Sequence, residues 1–289
     1  MILSKETPAN KSFDIVYINL AKHTSKKQYI ERMLNYANCS FIRFNAVDGQ
    51  EIYARTKTLQ EYSNGMPIRP TNRSIRSRIN AANAGRAGCH LSHLLVLKTV
   101  AMSDSTKPVL ILEDDIDLDT LFVAKIEEAL ANPPDHWDII LLGGMFHTAW
   151  WGHPANKHLR AGKYQACLHA YLVNGSKSAH KIAEAIDKKD CPGRPVDLII
   201  ETAFRDDPDF KAYCFDPMIA VQRRDLFESS ITLPSTTPWY DKVAAKLFPS
   251  AFLRPLSRSL ADASSGATSS SQAPNLTSIW LGLFLIGLL

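Results

Sequence analysis

Apolar residues along this chain switch between two spacings. Phe13-Asp14-Ile15-Val16-Tyr17-Ile18-Asn19-Leu20 is mostly apolar and β-branched, which predicts a buried first strand. From Ser25 to Ala37 the spacing becomes helical, because Ile30, Met33, Leu34 and Ala37 fall at i, i+3, i+4 and i+7 and share one face. Phe41 to Phe44 then predicts a short strand, closed by a turn at Asp48-Gly49. Strand, helix, strand in that order implies a right-handed parallel crossover. Ile52 to Asn83 has weak periodicity and reads as loop with short helical pieces. Ala87 to Ala101 is apolar over most of its surface through Leu91, Leu94, Leu95 and Leu97, with Val96 and Val100, so it predicts a buried helix.

Pro108 to Leu112 is an apolar strand running into Glu113-Asp114-Asp115. A helix from Leu121 to Leu130 and a buried strand from Asp138 to Leu142 follow, the strand stopped by Gly143-Gly144. His169 to Val173 predicts a strand and Ser176 to Ile186 a helix. Pro195 to Ile200 fits either, and Ala212 to Phe215 is a short strand. These elements describe one α/β domain over residues 12–227. An irregular extension follows over 228–259, then a flexible Ser/Ala-rich segment over 260–278 and an apolar tail over 279–289.

A chain of 289 residues can bury a large core. Its net charge of +4 is too small to imply a polyanionic partner, and Arg69, Arg73, Arg76, Arg78 and Arg86 lack the interleaved aromatics of a nucleic-acid surface. They read as a solvated loop or as a grip for a phosphate-bearing or acidic ligand. The five cysteines show no CxxC spacing, which argues against a zinc site or a dense disulfide framework. Residues 1–12 carry no apolar run, so the chain as written shows no signal peptide. The tail from Ile279 is shorter than a spanning helix but has the outline of a lipid-anchor signal, so weak membrane association and an unstructured tail both stand. The compartment stays open.

The chemistry concentrates at Glu113-Asp114-Asp115. Clustered carboxylates at a strand end are costly unless a cation lies among them, and the mouth beyond a strand's carboxyl end is where open α/β sheets bind ligands. Such a cluster suits a hard cation, Mn²⁺ or Mg²⁺. Strand alternation turns Glu113 and Asp115 one way, with Asp114 opposed. The competing reading is that these acids cap the next helix, and Asp117 and Asp119 read as solvated or capping acids. Gly88-Cys89-His90-Leu91-Ser92-His93 is read as a helix start where Ser92 and His93 bond a ligand and free N–H groups donate to a phosphate, with a satisfied core histidine as the plain alternative. Cys89 reads as a small buried apolar residue. Asp197, in an apolar segment, is either a cleft carboxylate or a cap.

In order, Val16 to Leu20, Phe44-Asn45-Ala46-Val47-Asp48-Gly49, Gly88-Cys89-x-x-Ser92-His93 and Leu110 to Asp115 resemble glycosyltransferase family 25. Trp137 to Gly143, Ala170 to Val173 and Pro195-Val196-Asp197 look like its later blocks. The resemblance implies a GT-A type α/β fold with a mixed, mostly parallel sheet. It also implies transfer of a hexose, plausibly galactose, from a nucleotide-sugar such as a UDP-hexose to a glycan or hydroxylated protein acceptor. On that reading Glu113, Asp114 and Asp115 hold Mn²⁺ or Mg²⁺, and Asn19, Leu20, Ala46 and Asp48 line the nucleotide pocket. Ser92 and His93 support the donor site, and Asp197 lies on the acceptor side as base or polar contact. Two departures are visible. Lys22 to Lys27 stands where the family usually carries arginines, and Arg86-Ala87 stands where a glutamate commonly precedes Gly-Cys. A non-catalytic sugar- or partner-binding relative and a metal-dependent nucleotidyltransferase are the rival readings.

Overall fold

A computed structural model describes residues 8–63, 77–144, 153–161, 167–189, 194–224 and 226–227. The first crossover forms as its spacing predicts: β1 (Asp14–Asn19), α1 (Thr24–Tyr36) and β2 (Ile42–Asn45), with β1 and β2 parallel. Two short helices, α2 (Gly49–Tyr53) and α3 (Leu59–Ser63), precede the buried α4 (Ala84–Ala101). Then come β3 (Val109–Glu113), β4 (Ile116–Leu118), α5 (Phe122–Ala131) and β5 (Ile139–Leu141). The chain continues through β6 (His153–Pro154), β7 (Leu159–Ala161), β8 (Ala170–Val173) and α6 (Gly175–Lys189). It ends in α7 (Val196–Asp206), β9 (Ala212–Phe215) and β10 (Ala220–Gln222), so the ambiguous segment after Pro195 is helix.

Eight strands form one sheet in the order β2-β1-β3-β8-β5-β9-β7-β6, and β4 pairs with β10 in a small second sheet. The pairs β1–β2, β1–β3 and β5–β9 are parallel, whereas β3–β8, β5–β8, β7–β9 and β6–β7 are antiparallel. Six of the eight strands therefore run one way, with β7 and β8 opposed.

Strand alternation sends side chains into two cores, one on each face. Leu110 and Leu112 of β3 join Ile30 and Met33 of α1 and Phe122 of α5 on one side. Val109 and Ile111 join Leu94 and Leu97 of α4 and Ile182 of α6 on the other. A strand buried on both faces must be apolar at every position, which is why β3 and β5 are continuous apolar runs. Each fully buried Leu or Ile contributes about 1.5–3 kcal/mol.

The two halves of the domain meet at a glycine contact. A Cβ on Gly88 would lie 2.6 Å from the Val47 carbonyl oxygen and 2.7 Å from the Gly49 nitrogen, and one on Gly49 would lie 1.8 Å from the Ala84 carbonyl oxygen. Glycine at both positions lets the turn after β2 rest directly on α4, and the Ser92 hydroxyl completes the join by accepting from the Val47 N–H at 2.8 Å. Cys39, Cys89, Cys167 and Cys214 are free thiols, and Cys191 lies outside the described residues. The segments 228–259, 260–278 and 279–289 and the arginines at 69, 73 and 76 also lie outside them. Among the described residues no helix is long and apolar enough to cross a membrane.

Candidate functional site

β1 and β3 end at Asn19 and Glu113 on one edge of the sheet, and the opposed β8 begins there. Glu113 donates its backbone N–H to the His169 carbonyl at 2.8 Å. The chain then turns at Asp114-Asp115 into β4, so the three acids sit on a bend between two sheets. Alternation separates them as expected. The Gln222 side-chain amide donates to Glu113 Oε2 at 3.3 Å and to Asp115 Oδ1 at 3.2 Å. Asp114 turns away and accepts from the Asn19 side-chain amide at 2.7 Å.

The chain's own cation enters this cluster. Lys26 of α1 is buried with its Nζ 2.9 Å from Asp115 Oδ2 and 3.7 Å from Asp114 Oδ1. Burial opposes the Lys26 charge, but Asp115 and Asp114 outweigh it and raise the ammonium's pKa. Burial also dominates at Asp114, whose carboxyl is pushed up to about 7 despite Lys26, with the Asp115 charge adding to the rise. Glu113 goes the other way. Burial would raise it, but the hydrogen bond and charge of His93 together with His169 and Lys26 hold it below the usual carboxylate value.

Beside Glu113 opens a cleft of about 170 Å³, walled by Arg86 and Cys89 of α4, by Cys167 to His169 entering β8, by the start of α7 and by Gln222 and Arg224. Asp197 stands in the first turn of α7 on this wall. Its two oxygens accept backbone N–H groups of Cys167 at 3.0 Å and Leu198 at 2.9 Å. Cys167 reaches it with φ of 88°, a conformation costing a side-chain-bearing residue about 1–3 kcal/mol. His93 bridges the core and the acids, its Nε2 3.3 Å from Glu113 Oε1 and its Nδ1 2.9 Å from the buried Tyr171 hydroxyl. Burial, with Glu113 and Asp197 nearby, pushes the Cys89 thiol well up, and burial lowers the His169 pKa.

A family model described as glycosyltransferase family 25 (LPS biosynthesis protein) matches residues 13–161, just over half of the chain. The chain belongs to glycosyltransferase family 25. It is also similar to the "Putative glycosyltransferase R655" of Acanthamoeba polyphaga mimivirus, at 25% identity over 134 residues, covering 46% of this chain. The match spans 38% of that relative's own length.

Within this family 25 chain, Glu113 and Asp197 reach the cleft wall, and Asp115 and His93 adjoin it through Gln222 and Glu113. The assigned nucleotide-pocket residues take structural positions. Asn19 is buried between Asp114 and Arg43, whose Nε donates to Asn19 Oδ1 at 3.0 Å, and Ala46 donates its N–H to the Asn19 carbonyl at 3.0 Å. Asp48 caps α2 by accepting from the Gln50 N–H at 3.0 Å and pairs with Lys22. Leu20 packs against the core.

Three expectations need correction. Helix α4 begins at Ala84, so Gly88 to His93 lie beyond its first turn, where the N–H groups are spent inside the helix and cannot donate to a phosphate. Asp117 is not solvated: it is fully buried and paired with Arg223 at 3.0 Å. Asp119 is buried too, yet it does bond the chain before α5, accepting from Leu121 N–H at 2.9 Å. Sequence reasoning passed over Lys26, Gln222, Tyr171 and His169. Gln222 and His169 carry no spacing signal, and Tyr171 is lost within an apolar strand.

Proposed function

We propose that this chain is a glycosyltransferase of GT-A type that moves a hexose, with UDP-galactose the first donor to test, onto a hydroxyl of a glycan or hydroxylated protein side chain. The observation that carries the reading is the acidic strand end of a family 25 sequence opening into a cleft that also presents Asp197. For an in-line displacement, the acceptor hydroxyl oxygen bonds to the anomeric carbon as the bond from that carbon to the diphosphate oxygen breaks. The electron pair leaves with the diphosphate. Asp197 takes the hydroxyl proton, each of its oxygens held by one backbone N–H and keeping a further acceptor position.

Glu113 and Asp115 fit a hard cation, because their oxygens converge on one point, now the Gln222 amide nitrogen. Asp114 is committed to Asn19. Bound there, Mn²⁺ or Mg²⁺ would neutralise charge developing on the departing diphosphate. Lys26 supports the same end of the site by holding Asp115 in place.

The test is hydrolysis of a nucleotide-sugar panel with Mn²⁺, alongside thermal stabilisation by UDP. Absence of both for every donor overturns the transferase reading. Turnover that survives chelation with EDTA keeps transfer but assigns the charge neutralisation to Lys26.

A further inference from the structure

Cys89 and His93 stand four residues apart on α4, so they share a face, and that face meets Glu113 at the end of β3. Their three ligating atoms all lie within 4.8 Å of one another. A tetrahedral zinc with bonds of about 2.0–2.3 Å separates a nitrogen from an oxygen ligand by about 3.4 Å and a sulfur from an oxygen ligand by about 3.6 Å. The corresponding distances are 3.3 Å for His93 Nε2 to Glu113 Oε1 and 3.9 Å for Cys89 Sγ to Glu113 Oε1. Cys89 Sγ and the His93 ring nitrogen lie no more than 4.8 Å apart, against about 3.6 Å in such a zinc site, so a bound metal would draw them together by at most about 1 Å.

Two further features suit a metal. The Tyr171 hydroxyl sits 2.9 Å from His93 Nδ1, so Nδ1–H can donate to it while Nε2 presents its lone pair toward Glu113. Cys89 and Glu113 both line the cleft, which leaves a fourth position open to water or a small ligand. A thiolate, an imidazole and a carboxylate also form a different donor set from the all-oxygen pair Glu113 and Asp115. Thiolate and imidazole select zinc and its borderline-soft relatives over Mg²⁺.

We propose that Cys89, His93 and Glu113 form a three-residue site for a thiophilic divalent cation, zinc being the reference ion, with an open fourth position facing the cleft. Binding forms one metal–sulfur, one metal–nitrogen and one metal–oxygen bond and releases the thiol proton to solvent. The site shares Glu113 with the hard-cation pair but stands on its own three side chains, whether or not the chain transfers sugar.

The test uses the full chain, stripped with chelator, titrated with Co²⁺ and Zn²⁺ and followed by the ultraviolet thiolate-to-metal charge-transfer band. One equivalent should bind with that band. Cys89→Ser should abolish the band, whereas Cys167→Ser and Asp115→Asn should leave it. Tyr171→Phe should keep the band and weaken zinc affinity at least about ten-fold. Should Cys89→Ser fail to fold, zinc X-ray absorption of the unmodified chain decides, the expected result being one sulfur at about 2.3 Å and the rest nitrogen or oxygen. A band that survives in folded Cys89→Ser, a shell without sulfur, or no stoichiometric binding overturns the site.

Discussion

Replacing Lys26 by Met removes the one ammonium among the described residues that pairs with Asp114 and Asp115, while keeping the length of its stem. At an effective dielectric of about 20, a unit pair at the 2.9 Å of Lys26–Asp115 attracts by about 6 kcal/mol, and one at the 3.7 Å of Lys26–Asp114 by about 4.5 kcal/mol. Desolvation of three buried ions offsets much of that. Breaking a buried pair from one side still costs about 3–5 kcal/mol, because the carboxylates stay behind unpaired. The loss should depend on pH. Asp114 titrates near about 7 in the folded chain against 3.8 unfolded, so the folded state binds the extra proton between these values. Stability therefore falls as pH rises through that window. At pH 8 Asp114 is an anion and needs Lys26, whereas at pH 5.5 it is mostly protonated and needs it less. Urea unfolding of both chains in EDTA, followed by tryptophan fluorescence, should give a Lys26→Met loss of about 3–5 kcal/mol at pH 8 and roughly half that at pH 5.5. A loss below about 1 kcal/mol at pH 8, or equal losses at both pH values, would refute the assignment of Lys26 as counter-ion.

Gly88→Ala sets two effects of opposite sign against each other. Helix propensity favours Ala by about 1 kcal/mol, but the new Cβ would sit 2.6 Å from the Val47 carbonyl oxygen, so a net loss of about 2 kcal/mol is expected and a gain in melting temperature refutes the contact. Ser92→Ala strands the buried Val47 N–H and should cost about 1–3 kcal/mol in urea unfolding, an unchanged midpoint being the contrary result. Asp115→Asn should abolish metal-dependent donor turnover with an unchanged far-ultraviolet circular dichroism spectrum, and retained turnover would remove Asp115 from the cation pair. Asp197→Asn should lower kcat by about 10²–10⁴-fold with donor KM little changed, whereas a pure KM effect would make it a binding contact.

Six strands of the main sheet were legible, all but the short β6 and β7, and β3 and β5 most clearly, because both are buried on both faces and only unbroken apolar runs satisfy two cores at once. The second sheet was not. Strands β4 and β10 are three residues each and pair Ile116 with Gln222 across the length of the domain. The buried Asp117 interrupts their apolar pattern because its partner, Arg223, lies 106 positions away in sequence. Local spacing carries no trace of such a pair. Lys26 is different, since its signal was present. It lies four residues before Ile30 and so extends the apolar stripe of Ile30, Met33, Leu34 and Ala37 by one turn. A lysine on the buried stripe of a helix implies a buried carboxylate opposite, and Asp114 and Asp115 meet it here.

Joining those two halves changes what the acidic strand end demands. Lys26 compensates Asp114 and one oxygen of Asp115, on the side toward α1. Among the described residues, the Gln222 amide, the Cys89 thiol and the His93 imidazole lie within hydrogen-bonding range of Glu113, which lines the cleft. Of the three acids at the bend, Glu113 is the one that forms the cleft-facing edge. A cation entering from the cleft meets that edge first, which is why both proposed metal sites include Glu113 and neither includes Asp114.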